Sequence, residues 1–263
     1  CVKETAPAPT APTAPTAPTG GDAPVLVIAR SELIQLFRNR LVLVTSFLSP
    51  VAACVFFVSR HELFAELGSA GYVAAMVLFT VGAFGVHAST VTTLASRRQT
   101  LFLKRLRSTP ASDSAVLTGL VLPVVALALV QVAVMLAVFA GVAGGPAHPA
   151  LLGVAVVAVV AMMLAFGAAV AGLTTSPEHA QVTALPVSLG TVAVTNWVGL
   201  TGTAESTAWQ RLVPGGSATE LVLAAWNGGT PASESLLLLA PTLGWVLAAV
   251  ALASRLFRWE PRR

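Results

Sequence analysis

Few residues in this chain could do chemistry, and most of them are scattered. The densest charge lies in Arg97-Arg98-Gln99-Thr100-Leu101-Phe102-Leu103-Lys104-Arg105-Leu106-Arg107-Ser108-Thr109-Pro110, which holds five of the fifteen Lys+Arg. Glu178 and His179 form an adjacent acid–base pair, and His87 is the only histidine inside a long apolar run. General acid–base or nucleophilic catalysis needs a nucleophile and base within reach of each other, and no second histidine or cysteine is placed to complete such a site. The two cysteines, Cys1 and Cys54, have no spacing that suggests a metal site or a disulfide. Only two lysines are present, and Lys104 follows Leu103 rather than Gly, so the Gly-x-x-x-x-Gly-Lys phosphate cradle cannot be built.

The elements that carry these residues are membrane helices. Hydrophobic residues make up 56% of the chain and charged residues 10%, against about 25% charged in ordinary soluble domains. A soluble globular protein is excluded on that balance. A bilayer core about 30 Å thick takes about 20 apolar residues of helix, and six stretches supply them: 41–58, 71–95, 115–141, 150–173, 182–200 and 235–254. None contains Asp or Glu, whereas ion-coupled carriers mark their path with an intramembrane ionisable residue. His87 is left as the one histidine for that role, with Ser89, Thr90 and Thr93 near enough to satisfy it instead. A stand-alone secondary transporter or channel is therefore the second reading, and an intramembrane enzyme the third.

Three regions follow. Residues 1–24 are a tail of Ala-Pro-Thr repeats, too rich in proline to build a core and expected to be disordered. A glycosylated stalk is its alternative. Residues 25–40 read as an amphipathic interfacial helix, with Ala29, Leu33, Leu36 and Phe37 on one face and Ser31, Gln35, Arg38 and Asn39 on another. Residues 41–263 form the six-span domain. With the N-terminus inside, thirteen Lys and Arg fall on the cytosolic side and only Arg60 and Arg211 outside, which places both termini in the cytosol and the protein in the cell membrane. Removal of an initiator Met accounts for Cys1, and a lipid-modified terminus is the alternative.

Local signals set the connections. Thr109-Pro110 ends a short helix over the basic stretch, in which Phe102, Leu103 and Leu106 share one side and the basic residues take the rest. Ser112 then caps the following span. Such a basic segment anchors a membrane protein's orientation or offers a cytosolic docking surface. Ser176 as N-cap with Pro177 at the first helical position accounts for Glu178 without catalysis, and a cytosolic contact is the other role open to Glu178 and His179. In the long external loop 201–234, Ser217 and Glu220 read as a capping box and Asn227-Gly228-Gly229 as a stop. The enclosed helix is too short to cross and is expected to sit in the outer leaflet or to be re-entrant, with Trp209, Arg211 and Trp226 at interfacial depth. The fold class is all-α membrane protein: six transmembrane helices, an N-terminal interfacial amphipathic helix, and a re-entrant external helix between spans five and six.

In order, an interfacial helix, six spans, the Leu-Arg-Ser-Thr-Pro stretch at Leu106–Pro110, Ser176-Pro177-Glu178-His179-Ala180, Leu212-Val213-Pro214 and a basic C-terminal end with Trp259 resemble one known group. The chain is similar to the membrane subunit of ABC transporters of the type-2 exporter class, from about Val25 to its end, and drug-exporter permeases look nearest. Arg97-Arg98-Gln99 departs from the acidic residue many of these proteins carry there. The resemblance implies a permease without ATPase activity of its own, paired with a second permease and driven by two cytosolic ATPase subunits that hold the ATP and magnesium. It implies coupling to the ATPase through Leu101, Phe102, Leu103, Lys104, Arg105, Leu106, Arg107, Thr109 and Pro110. A secondary cytosolic contact falls on Glu178 and His179, and an interfacial-helix contact on Arg30, Arg38 and Arg40. No cofactor is implied on this chain, membrane lipids are partners, and no nucleic acid is. Read this way, the chain exports a hydrophobic or amphipathic compound such as a drug, antibiotic or lipid-like molecule.

Overall fold

The computed structural model describes residues 23–38, 40–99, 112–174, 176–203 and 205–256, and all regular structure among them is helical. Helix α1 (Ala23–Arg38) leads into α2 (Arg40–Ser59), which contains Pro50, and a short α3 (His61–Leu67) follows. Then come α4 (Ala70–Gln99), α5 (Asp113–Ala143), α6 (Pro149–Leu173) and α7 (Pro177–Thr201). Two short helices, α8 (Ala208–Leu212) and α9 (Gly216–Asn227), precede α10 (Ala232–Leu256). Among the described residues, five helices are long and apolar enough to cross a membrane: α4, α5, α6, α7 and α10.

Their sequences explain their form. In α5 and α6 the apolar residues run all round the helix rather than along one stripe, as expected where every face meets lipid or another helix. Backbone groups within a bilayer must be satisfied inside the segment, so such runs fold as continuous helices. Punctuation falls where cap residues stand. Ser112 accepts from the Ala115 N–H at 3.2 Å to start α5, and Ser176 accepts from the His179 N–H at 3.4 Å to start α7 with Pro177 at its first position. Both caps match the sequence reading.

Helix α4 lies at the centre, in contact with α2, α5, α6, α7 and α9, while α10 packs along α6. From Tyr72 to Ala83 every residue of α4 is buried. Lipid tails are as apolar as leucine, so helices here associate through close packing and interhelical hydrogen bonds rather than by hydrophobic transfer. Phe139 of α5 stacks on Trp226 of α9 with ring centroids 5.0 Å apart. The Tyr72 hydroxyl of α4 donates to Asn196 Oδ1 of α7 at 2.5 Å, and the Gly71 N–H to Asn227 Oδ1 at 2.9 Å.

The segment before α10 departs from its sequence reading. Ser217 does not cap α9: Gly215, with φ of 93°, takes that position, a conformation that favours glycine. The Ser217 hydroxyl instead meets Thr242 Oγ1 at 2.9 Å, and Glu220 binds Arg211. The capping box lies earlier, at Thr207 and Gln210. Tertiary partners have taken over two side chains whose spacing fitted a local motif. The stop at Asn227-Gly228-Gly229 is present, with Gly228 as C-cap. Helix α9 is enclosed by the bundle, with every residue from Gly216 to Trp226 buried, so Trp226 faces protein, whereas Trp209 is exposed.

Candidate functional site

The two arginines that end α4 divide between two neighbours. Cations are favoured in the last turn of a helix, and Arg97 and Arg98 stand there. Arg98 is 1% exposed. Its Nη1 donates to the Ala171 carbonyl at 3.2 Å and its Nη2 to the Thr174 carbonyl. These acceptors lie at the end of α6, where the last carbonyls have no partner within their own helix. Arg98 therefore caps a neighbouring helix with a charge-assisted bond. By sequence Arg98 belongs to the basic face of the following loop, and its burial at the α4–α6 junction corrects that.

Arg97 turns to α1. Its Nη2 donates to Glu32 Oε2 and to Gln35 Oε1, both at 2.6 Å. Glu32 and Gln35 are three residues apart and so share a helix face. Glu32 is buried, and its partner is partly open, with side-chain exposures of 6% and 19%. Beside the ion pair, Ile28 joins Leu94 of α4, Val116 and Leu120 of α5 and Ala171 of α6 in one apolar cluster. Gly119 permits this approach: a Cβ there would lie 2.8 Å from Ile28 Cβ and 3.1 Å from the Val25 carbonyl. The buried face of α1 is thus Ile28, Ala29 and Glu32, while Leu33 and Phe37 are exposed. Of the apolar residues read as one face, Ala29 is buried against the bundle and Leu33 and Phe37 are exposed.

Between these fixed ends run residues 100–111. Leu101, Phe102, Leu103, Lys104, Arg105, Leu106, Arg107, Thr109 and Pro110 lie outside the described residues, as does the tail 1–22. What surrounds them is described: α4 ends at Gln99, and α5 starts from Ser112. Arg30 and Arg38 are exposed on α1, and Arg40 opens α2. Glu178 and His179 are exposed in the first turn of α7. The Ser176 hydroxyl, followed by Glu178's own N–H, holds the Glu178 carboxyl below the usual carboxylate range. Just beyond, Ala180 and Ala184 pack with Val91 and Ala95 of α4, so this turn adjoins the same half of α4 as the two arginines.

His87 is fully buried in α4, and neither ring nitrogen has a hydrogen-bond partner among the described residues. The neighbouring hydroxyls do not satisfy it as anticipated, and Thr90 Oγ1 is itself without a partner. No group of three or more His, Cys, Asp or Glu that could hold a metal ion occurs among the described residues. At the opposite end of the bundle, Arg211 Nε and Nη2 donate to Glu220 Oε2 and Oε1 at 2.8 and 2.7 Å. The Ser206 hydroxyl donates to Glu220 Oε1 at 3.0 Å.

Sequence reasoning missed the Glu32–Arg97 pair, whose members are 65 residues apart. A signal was present: Glu32 is the single carboxylate in the helix 25–40, and a lone acid beside apolar residues calls for a cation. The arrangement joins an N-terminal helix, the end of a central membrane helix and the start of the next around one basic connection. Comparison with curated proteins found no match. The family described as ABC-2 family transporter protein matches residues 45–255, from within α2 to the last turn of α10. With that match covering well over half of the chain, the protein belongs to the ABC-2 transporter family.

Proposed function

We propose that the chain is the transmembrane permease subunit of an ATP-driven exporter in the cell membrane, and that energy enters it through residues 101–110. The observation that carries this reading is the double brace at the end of α4, where Arg97 is tied to α1 and Arg98 to the end of α6. A push on the connecting loop is then received by three helices at once rather than absorbed by a hanging turn. Phe102, Leu103 and Leu106 insert into a groove on a cytosolic ATPase, and Lys104, Arg105 and Arg107 face acidic groups or lipid phosphate. Arg30, Arg38 and Arg40 add contacts from α1, and Glu178 and His179 from the first turn of α7.

In this reading α2 is the first of six spans, both termini are cytosolic, and α9 is a re-entrant element. The exposed Leu33 and Phe37 of α1 rest in lipid. Two copies pair around the path, ATP and magnesium stay on the ATPase subunits, and the cargo is hydrophobic or amphipathic, in keeping with spans lined by Ala, Val, Gly, Ser and Thr. Co-purification from the native membrane tests the reading. The parent chain brings down a phosphate-loop ATPase, and Leu106→Asp with Arg105→Glu abolishes the association while the chain still inserts. If the double variant retains the complex and its transport, energy does not enter here.

A further inference from the structure

A displacement delivered to the braced end of α4 must cross residues Val81–His87 to reach the enclosed half above. This seven-residue segment is π-helical. The Ala88 N–H donates to the Ala83 carbonyl, five residues back, where an α-helix reaches back four. Such turns are rare, and they are a named cause of kinks in long helices. Locally the sequence favours it, because Gly82 and Gly85 weaken the preference for regular α-helix.

The turn packs against α2, α5, α6 and α7. Ser188 Oγ on α7 donates to the same Ala83 carbonyl at 3.1 Å. At Gly82 a Cβ would stand 3.1 Å from Met163 Cγ of α6, so the backbone lies close to that helix. Immediately below, His87 and Thr90 are three residues apart on one face, both fully buried. Neither the His87 ring nor the Thr90 hydroxyl has a hydrogen-bond partner among the described residues. The ring is directed toward the Met163 and Ala184 carbonyls without reaching hydrogen-bond geometry to either. Unpaired polar groups inside a membrane are costly, and here the His87 ring stands beside two carbonyls it does not engage.

We propose that Val81–His87 is the hinge on which the braced half of α4 pivots against its enclosed half. The pivot exchanges one set of hydrogen bonds for another. In the resting state the Ser188 hydroxyl holds the π turn through Ala83. In the ATP-bound state that bond opens, and His87, with Thr90 beside it, engages the Met163 and Ala184 carbonyls of α6 and α7. His87 and Ser188 are positioning residues for coupling, each stabilising one end of a two-state element. The hinge rests on the coupling reading above.

The test uses the full chain in complex with its ATPase, in a Cys1→Ser, Cys54→Ala background. Spin labels are placed at Thr93→Cys, below the turn, and at the exposed Val157→Cys on α6. Adding ATP and vanadate shifts the distance distribution in the parent. Ser188→Ala populates the shifted distance without nucleotide, raising its ratio about fivefold, the size of one net hydrogen bond. His87→Leu reduces it by a similar factor with ATP and vanadate. Deleting Gly85, which removes the extra residue of the π turn, abolishes the shift while leaving the complex assembled. Should the deletion fail to insert, the two point variants decide, because they are required to move the ratio in opposite directions. A complex that hydrolyses ATP without any distance shift, or point variants that match the parent, overturns the hinge alone. Failure of any ATPase to associate overturns the hinge together with the coupling reading.

Discussion

Breaking the tie between α1 and α4 gives the sharpest energetic prediction. An exposed ion pair contributes about 0–1 kcal/mol, whereas removing one partner of a buried pair costs about 3–5 kcal/mol. The Arg97–Glu32 pair stands between those limits, since the arginine side chain is 19% exposed and the carboxylate 6%. Arg97→Met leaves an enclosed carboxylate without its cation and is expected to destabilise α1 docking by about 2–3 kcal/mol. Glu32→Gln retains an acceptor and costs about 1 kcal/mol. The double variant has no stranded charge, so the pair shows a coupling energy of about 1–2 kcal/mol, and the cycle subtracts Arg97's other contacts. Hydrogen exchange of α1 amides in lipid nanodiscs reads the docking free energy directly. Strictly additive single variants, with coupling below about 0.5 kcal/mol, would refute the claim that this pair joins the helices.

Gly119→Ala pushes a methyl to within 2.8 Å of Ile28 Cβ. It should loosen α1 by about 1–3 kcal/mol, seen as faster exchange in α1 with α5 itself unchanged. Arg211→Ala leaves Glu220, whose side chain is 5% exposed, without its cation, while Arg211 is 44% exposed. The expected loss of thermal stability is about 1–3 kcal/mol, below the fully buried limit, and adding Glu220→Gln should restore part of it. For Glu178 the folded-state pKa is lowered, first by the Ser176 hydroxyl, so its contribution is complete above the unfolded carboxylate pKa. It is lost as pH falls through the folded value. Protection factors in the first turn of α7, corrected for the pH dependence of intrinsic exchange, should therefore fall on acidification in the parent, with a smaller change in Ser176→Ala.

What could be read from the sequence was whatever depends on short range. The apolar runs at 115–141 and 182–200 read as helices, and Ser112 and Ser176 cap the helices that carry them. What could not be read depends on partners far along the chain. Glu220 fitted a local capping box by spacing, but Arg211 and Ser206 compete for the same carboxylate and win by charge. The burial of α9 was hidden for a similar reason: a twelve-residue helix too short to span looks interfacial until α4, α6 and α7 are known to surround it. Arg97 and Arg98 belonged by composition to the basic loop, whereas the orphan carbonyls ending α6 and the carboxylate of α1 draw them into the bundle. The π turn left only a faint trace in Gly82 and Gly85, since two glycines in a membrane helix are more often a packing contact.

The central claim is that the braced connection between α4 and α5 receives the energy of transport from a cytosolic ATPase. A photo-cross-linking residue at Phe102, in cells carrying the native partners, tests this most directly, with Trp209 on the opposite end as control. The account predicts an ultraviolet-dependent adduct from position 102 that mass spectrometry identifies as containing a phosphate-loop ATPase, and none from position 209. An ATPase adduct from position 209, or a fully inserted chain whose position 102 yields no ATPase adduct, would contradict it.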